Sequence, residues 1–327
     1  MTDVAGLSVG HATDLTLGSG VTVVLCDRPG VIGVSVLGGA PAGRDLGVAD
    51  PAATVGLMDG VVLSGGSVFG LDAVGGAQSV LRQQGRGQRF AGVAVPLLAG
   101  ASLFDLAAAG DKNWGAQAPY ARLGEQAAAC AGQDFALGSV GAGTGATTAL
   151  VKGGVGSASM RVASGHVVAA LMAVNALGSP LVGEGPHFWA APFERDGEFG
   201  GLGWPGMLDE QALRLRCKGG APATTIGVVA TDAPLDKAAA YRLAVMAHDG
   251  LARAVLPAHA PMDGDTIFAI ATGRHAAPVG TAGLTALGHA AAMVTSRAIA
   301  RGVFAATALP QAGAQPAWRD RFAAPRR

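Results

Sequence analysis

Two carboxylates stand two residues apart in Asp263-Gly264-Asp265-Thr266, directly ahead of an apolar, β-prone run. On an extended chain, side chains two apart point the same way. The pair therefore has two readings: an Asp-Gly turn that opens a strand, or a carboxylate set that orients an amine or a hydroxyl group. Other candidates match their patterns less well. Gly141-Ala142-Gly143-Thr144-Gly145-Ala146 echoes a dinucleotide-binding glycine loop, but no acidic residue follows about twenty positions later. It reads instead as a backbone-rich turn near a pocket. Ser67, in Gly65-Gly66-Ser67-Val68-Phe69-Gly70, has Phe69 where a nucleophile elbow needs glycine, and reads as a turn serine or helix cap. The seven histidines, at 11, 166, 187, 248, 259, 275 and 289, form no close ligand pair. His248 falls where a half-buried, hydrogen-bonded helix side chain is expected. Cys26, Cys130 and Cys217 are too far apart for a zinc pattern or a disulfide framework. No metal and no cofactor is expected.

These residues must be positioned by a chain whose 327 residues are half hydrophobic, only 14% charged and poor in aromatics, with 52 glycines. A core of Ala, Val and Leu, closely packed with the help of glycine, follows from that composition. The net charge is zero, with 23 basic and 23 acidic residues and no Lys/Arg block, which argues against a nucleic-acid partner. The N-terminus lacks a basic stretch followed by an apolar one, and no apolar run is long enough to span a bilayer. No membrane partner is expected, and a cytoplasmic location is the default.

Short β-rich runs alternate with glycine turns in the first half. The pattern predicts strands over 20–26 and 33–37 separated by the turn 27–30, then 60–63, 92–96, 146–151, 157–161 and 224–231. Residues 167–174 fit a strand or a buried helix. A helix is predicted over 68–84, ending at Gly85, and another from about Pro234, capped by Asp232, to Val255 ahead of Pro257. The run 266–272 reads as a strand and 283–300 as an Ala-rich helix. Residues 183–222 read as an irregular excursion carrying Phe188, Trp189 and Phe193, with a short helix near 208–216. The tail over 310–327 is expected to be loosely held. Strands and helices mix throughout, as in a layered α/β or α+β fold.

Taken together, the segments resemble one family. They are Thr2-Asp3-Val4 with Val9-Gly10-His11-Ala12-Thr13-Asp14, Gly38-Gly39-Ala40-Pro41, Leu63-Ser64-Gly65-Gly66-Ser67, Phe104-Asp105-Leu106 and the loop 141–145. Lys152-Gly153-Gly154 with Gly156-Ser157-Ala158-Ser159, Val174-Asn175-Ala176, the run 224–232, the run 246–253 and Asp263-Gly264-Asp265-Thr266 continue the series. In this order they span almost the whole chain and resemble the P1-family peptidases (peptidase family S58). That group holds the DmpA-like L-aminopeptidase/D-esterases, the β-peptidyl aminopeptidases and the nylon-oligomer hydrolases.

The resemblance implies an α+β fold: a four-layer αββα sandwich, like that of N-terminal-nucleophile hydrolases and DmpA/ArgJ-like proteins, over 1–327. It also implies a precursor that cuts itself between Ala223 and Thr224 into pieces 1–223 and 224–327, freeing Thr224 as nucleophile. Lys152, Asn175, Asp263 and Asp265 match the other positions that the nylon-hydrolase branch places around its threonine. A threonine hydroxyl needs a base, and a free α-amine with a reference pKa of about 8 supplies one. Before the cut that amine does not exist, so Lys152 is the expected assistant. Asn175 is expected to donate to the oxyanion, worth roughly 3–4 kcal/mol in well-ordered sites. The aspartates are expected to orient Lys152, the Thr224 amine or the substrate's ammonium. One departure stands at the bond itself: many relatives carry Asn before the cut, where this chain has Ala223.

The expected substrates are short peptides or amino-acid amides and esters. The expected assembly is a homo-oligomer, with a tetramer favoured by the family. Two alternatives stand beside this reading. Ornithine-acetyltransferase-like proteins also self-cut before a threonine but pass the acyl group to an amine, and an uncut chain would be a non-catalytic binding protein.

Overall fold

The computed structural model describes residues 1–220 and 222–322. The first half of the chain contains β1 (Leu7–Asp14), a long β2 (Ser19–Val36), a short β3 (Gly43–Arg44), β4 (Met58–Ser64) and α1 (Asp72–Gln83). A small hairpin of β5 (Gln88–Phe90) and β6 (Val93–Val95) leads to β7 (Leu98–Ser102) and α2 (Tyr120–Ala129). Then come β8 (Gly154–Arg161), β9 (Val167–Asn175), β10 (Thr224–Thr231), α3 (Lys237–Ala254), β11 (Thr266–Ala271), α4 (Thr281–Ala305) and α5 (Trp318–Phe322).

β2 belongs to two sheets. Its first half pairs with β1 and β4, and its second half, past a register break between Leu25 and Gly30, pairs with β11. One sheet therefore runs β3-β7-β4-β2-β1 and the other β2-β11-β10-β9-β8. β4 and β7 are parallel, as are β10 and β11, each pair connected through an intervening helix; the other pairings are antiparallel.

The period-two alternation of apolar side chains sorts them into three cores. In β9, Val168, Ala170, Met172 and Val174 face one core, while Val167, Ala169, Leu171 and Ala173 face another. β11 divides in the same way, Ile267 and Ala269 from Phe268 and Ile270. The first core is closed by Leu243, Ala247 and Leu251 of α3 with Val294, Ala298 and Ile299 of α4. The second lies between the sheets, where Val24, Leu63 and Ala99 meet Leu171, Val228 and Phe268. The third packs Val21, Val23 and Leu25 of β2 under Val74 and Leu81 of α1 and Leu123 and Ala127 of α2. Three cores separate four layers, giving the αββα sandwich.

Several local expectations need correction. Residues 20–26 and 33–37 are one bulged strand, because each half finds a different partner. β1, noted only as a motif, is a strand paired along its whole length. Residues 146–151 form no strand, since their backbone donors are drawn aside: Thr147 N–H to Asn175 Oδ1 (3.0 Å) and Ala149 N–H to Gly178 O (3.1 Å). No helix forms at 208–216. α3 starts three residues later than proline placement suggests, because Asp236 is its cap (Oδ1 accepts Ala239 N–H at 2.8 Å), while Asp232 accepts Val167 N–H instead. The tail is not loosely held over its described part. Trp318 is buried against Phe188 and Phe304 and donates to Pro186 O at 2.9 Å. Residues 323–327 lie outside the described residues. No helix among the described residues is long and apolar enough to cross a membrane.

Glycine sets the spacing between α4 and β8. A Cβ on Gly156 would lie 1.9 Å from Ala298 O and 2.3 Å from Gly302 N, so the helix rides directly on the strand backbone. Gly156→Ala is expected to lower unfolding stability by roughly 1–3 kcal/mol through overpacking, while Gly47→Ala, which meets open space, changes little. Equal urea midpoints for the two variants would refute this account.

Candidate active site

The site is built on the register of β10. β10 pairs antiparallel with β9 so that Thr224 stands opposite Asn175, and parallel with β11 so that Ile226 stands opposite Thr266. The parallel register continues upstream as a bridge between Ala223 and Asp263. It therefore sets Gly264 beside Thr224 and Asp265 beside Thr225. The hydrogen bonds agree: Ala223 N–H donates to Met262 O (3.1 Å), Gly264 N–H donates to Ala223 O (3.0 Å), and Thr225 N–H donates to Asp265 Oδ1 (2.8 Å). The Thr224 hydroxyl donates to the same Ala223 carbonyl oxygen. Only glycine fits at 264, because a Cβ there would lie 2.9 Å from Thr224 Oγ1 and 2.7 Å from Ala40 O.

Asn175 is fully buried and tied on three sides. Its Nδ2 donates to Phe104 O (2.8 Å), and its Oδ1 accepts from Thr147 N–H (3.0 Å) and from the Lys218 ammonium (2.8 Å). Lys218 also donates to Asn175 O at 3.1 Å. Lys152 lies near this group: its residue bridges Thr147, and its buried ammonium donates to Gly143 O (2.8 Å) and Gly153 O (2.9 Å). It makes no hydrogen bond to Thr224. Asp263 Oδ1 accepts Leu177 N–H (3.2 Å), and Asp265 Oδ2 accepts both the backbone N–H of His259 (2.9 Å) and its ring Nδ1 (2.8 Å). A cavity of about 420 Å³ adjoins Asn175, lined by Phe104, Asp105, Thr147, Thr148, Lys218 and Pro222 among others.

Four of the ionisable groups here are buried or turned inward, and their protonation answers to that. Burial lowers the Lys152 pKa to about 7 against the opposing pull of Asp105, with the charge of Lys218 lowering it further. Lys218 is likewise lowered to about 7, mainly by burial of its ammonium, opposed by Asp263 and Asp105. Asp263 is pushed up to about 7 by burial and then by the charge of Asp265, opposed by the Leu177 N–H and by Lys218. Asp105 is raised by burial, despite hydrogen bonds from Ser19 Oγ (2.7 Å) and Gly66 N–H (2.8 Å). Lys152, Lys218 and Asp263 thus change protonation close to neutral pH, as acid–base work requires.

The sequence-derived set of Thr224, Asn175, Asp263 and Asp265 converges on the start of β10, with Lys152 one residue group away behind Thr147. Sequence reading missed Lys218, His259, Gly264 and Asp105. Lys218 lies in the stretch taken as an irregular excursion, and His259 six residues before its carboxylate partner carries no periodic signal. Asp105 stood in a quoted motif without a role. Gly264 is the one with a readable signal, since it separates the two carboxylates. Phe104, also without a role at first, contributes its backbone carbonyl to Asn175 and its side to the cavity. His248 is hydrogen-bonded as expected, with Nε2 at 3.0 Å from Ser35 O, but buried rather than half-buried.

Comparison with known proteins places this geometry among relatives. The model of Peptidase family S58 matches residues 1–315. An uncharacterized aminopeptidase of Mycobacterium bovis is 41% identical over 345 aligned positions, covering 98% of this chain and 97% of its own. One of Mycobacterium leprae is 41% identical over 299, covering 84% and 78%. Among solved structures, a Burkholderia sp. beta-aminopeptidase superposes with a TM-score of 0.70 at 24% identity, over 98% of this chain and 90% of that one. The L-aminopeptidase D-Ala-esterase/amidase of Ochrobactrum anthropi, described as a variant of the Ntn-hydrolase fold, gives 0.70 at 20%, over the same shares.

The buried lysines carry a pH signature. A lysine whose pKa folding lowers opposes folding while it is charged. Below about pH 7 both states hold the proton and the penalty is complete. Above it the folded state sheds a proton that the unfolded state keeps, so stability rises with pH. In a Thr224→Ala background, stability is expected to climb between pH 7 and 9 by up to about 1.4 kcal/mol per pH unit for each such group. Lys152→Met should flatten that climb in urea titrations; an unchanged slope would contradict the assignment.

Proposed function

The chain belongs to peptidase family S58, and on that premise we propose that it is a self-processing aminopeptidase whose nucleophile is Thr224, freed by a cut after Ala223. Its substrates on this reading are short peptides or amino-acid amides and esters, and it takes their acyl part through an ester on the threonine. The observation that carries the proposal is the double hold on one carbonyl: Ala223 O accepts both the Thr224 hydroxyl and Gly264 N–H at 3.0 Å.

The first cut is then an acyl shift within the chain. Thr224 Oγ adds to the Ala223 carbonyl carbon, and the charge that builds on Ala223 O meets the Gly264 N–H already aimed at it. The C–N bond breaks as the nitrogen takes up the hydroxyl proton, leaving an ester between Ala223 and Thr224. Water opens the ester, and Thr224 is left with a free amine beside its hydroxyl. Among the groups placed to relay protons near neutral pH are Asp263, whose turn flanks the bond, and Lys152, which reaches it through Thr147 and Asn175 rather than by contact.

Turnover repeats this chemistry on a substrate. The new amine accepts the hydroxyl proton, and Asn175, directly across the ladder, offers its amide to the oxyanion once it turns from Phe104 O. Asp265 fixes the residue after the nucleophile through Thr225 N–H and is itself fixed by His259. A cavity of about 420 Å³ falls at the small end of ligand pockets, which supports small substrates over folded proteins.

Intact mass spectrometry of the purified protein tests the reading. Two fragments meeting between Ala223 and Thr224 are expected, with Thr224→Ala whole and inactive and Thr224→Ser still cut. Asn175→Ala, assayed on amino-acid amides, is expected to lose roughly 100- to 1,000-fold in kcat. A single uncut wild-type chain, or full turnover by Thr224→Ala, would end the proposal.

A further inference from the structure

Lys218 brings a cation into a site that already holds Lys152, yet among the described residues no carboxylate lies within ion-pair distance of it. Its ammonium is held by Asn175 Oδ1 (2.8 Å) and Asn175 O (3.1 Å), and its backbone N–H by Leu177 O (3.1 Å). An ammonium turned inward onto neutral acceptors is costly, so something must be gained while it is there. Its acceptors belong to the residue that pairs with Thr224. With Cys217 and Pro222 it also forms part of the wall of the cavity beside Asn175, so the residues leading to the scissile bond occupy ground that a substrate would need.

Cleavage changes the charges at this place. The cut forms the Oγ–C bond, breaks C–N with the hydroxyl proton passing to nitrogen, and consumes one water to open the ester. An α-ammonium appears on Thr224, opposite Asn175. A carboxylate appears on Ala223, beside the turn of Asp263 and Asp265. The new cation competes with Lys218 for the same surroundings, while the new anion is repelled by two buried carboxylates. Both forces act on the residues that end at Ala223.

We propose that Lys218 stands in, before the cut, for the ammonium that the cut creates at Thr224: it is a positioning residue that holds Asn175 and the approach to the bond, and it leaves once the α-ammonium exists, opening the cavity to substrate. This rests on Thr224 being the self-released nucleophile.

The test labels lysines of the wild-type protein and of uncut Thr224→Ala with N-hydroxysuccinimidyl acetate, read by peptide mass spectrometry. Lys218 is expected to react at least about tenfold faster in the cut protein, because local protection is lost there, while Lys152 stays protected in both. Equal protection of Lys218 in the two proteins overturns the exchange and leaves the Thr224 reading intact. A wild type that never cuts overturns both. A second measurement follows the rate of self-cleavage: Lys218→Met is expected to slow it about tenfold through loss of charge-assisted bonds, with Lys218→Arg recovering part of the rate. Cleavage of Lys218→Met at the wild-type rate also overturns the proposal.

Discussion

The parallel pairing of β10 with β11 is the constraint on which the site depends. Both strands are buried on both faces, with alternate residues committed to different cores. A slip of one residue would turn Val228 and Phe268 out of the space between the sheets and drive Val229 and Ala269 into it, so the register is held by the full apolar content of two cores. Because that register extends upstream to Ala223 and Asp263, the same hydrophobic burial that closes the sandwich also aims Gly264 N–H at the Ala223 carbonyl. The precision of the site is inherited from packing rather than made locally.

On the proposed reading, this register is what lets Ala223 serve as the residue before the cut. Ala223's own contributions to holding the bond run through its backbone: its N–H to Met262 O, and its O from Gly264 N–H and the Thr224 hydroxyl. Its own side chain is a buried methyl and adds no hydrogen bond. Gly264 completes the arrangement by having no side chain, since a Cβ would occupy the space of Thr224 Oγ1. The methyl of Ala223 and the bare Cα of Gly264, which stands beside Thr224, leave room at the bond for the threonine hydroxyl.

The layered architecture and most of the carboxylate–threonine cluster were legible in the sequence, for physical reasons that also mark where reading failed. β9, β10 and β11 are continuous Val/Ala/Ile runs because both faces are buried, and such runs announce themselves. Asp263 and Asp265 were visible because glycine and a strand start flank them. Lys218 was not, because its role depends on a chain excursion folding back over Asn175, a contact across 43 positions that no local pattern encodes. The docking of Trp318 on Phe188 is equally non-local. The double membership of β2 was hidden by Pro29 and Gly30, which read as a turn and act as the bulge where one strand passes between sheets. The placement of Lys152 behind Thr147, out of contact with Thr224, depends on how far its side chain reaches toward Gly143 O, which no local sequence pattern encodes.

The lysines of the site rest on carbonyls and its aspartates on N–H groups, so among the described residues no ion pair neutralises the cluster apart from the one His259 forms with Asp265 when protonated. Burial therefore pushes Lys152, Lys218 and Asp263 toward their neutral forms, and all three come to titrate near pH 7. Protons then move among them at little cost in either direction, which suits a step in which the nucleophile loses a proton and the departing nitrogen gains one. On the proposed reading, cleavage adds an ammonium and a carboxylate to the same cluster, and neighbouring charges of that kind shift every pKa around them. On the proposed reading, self-cleavage and turnover run in different electrostatic surroundings on one set of residues. On the same reading, the base for the first step is drawn from side chains already present, and the base for the second is the product of the first.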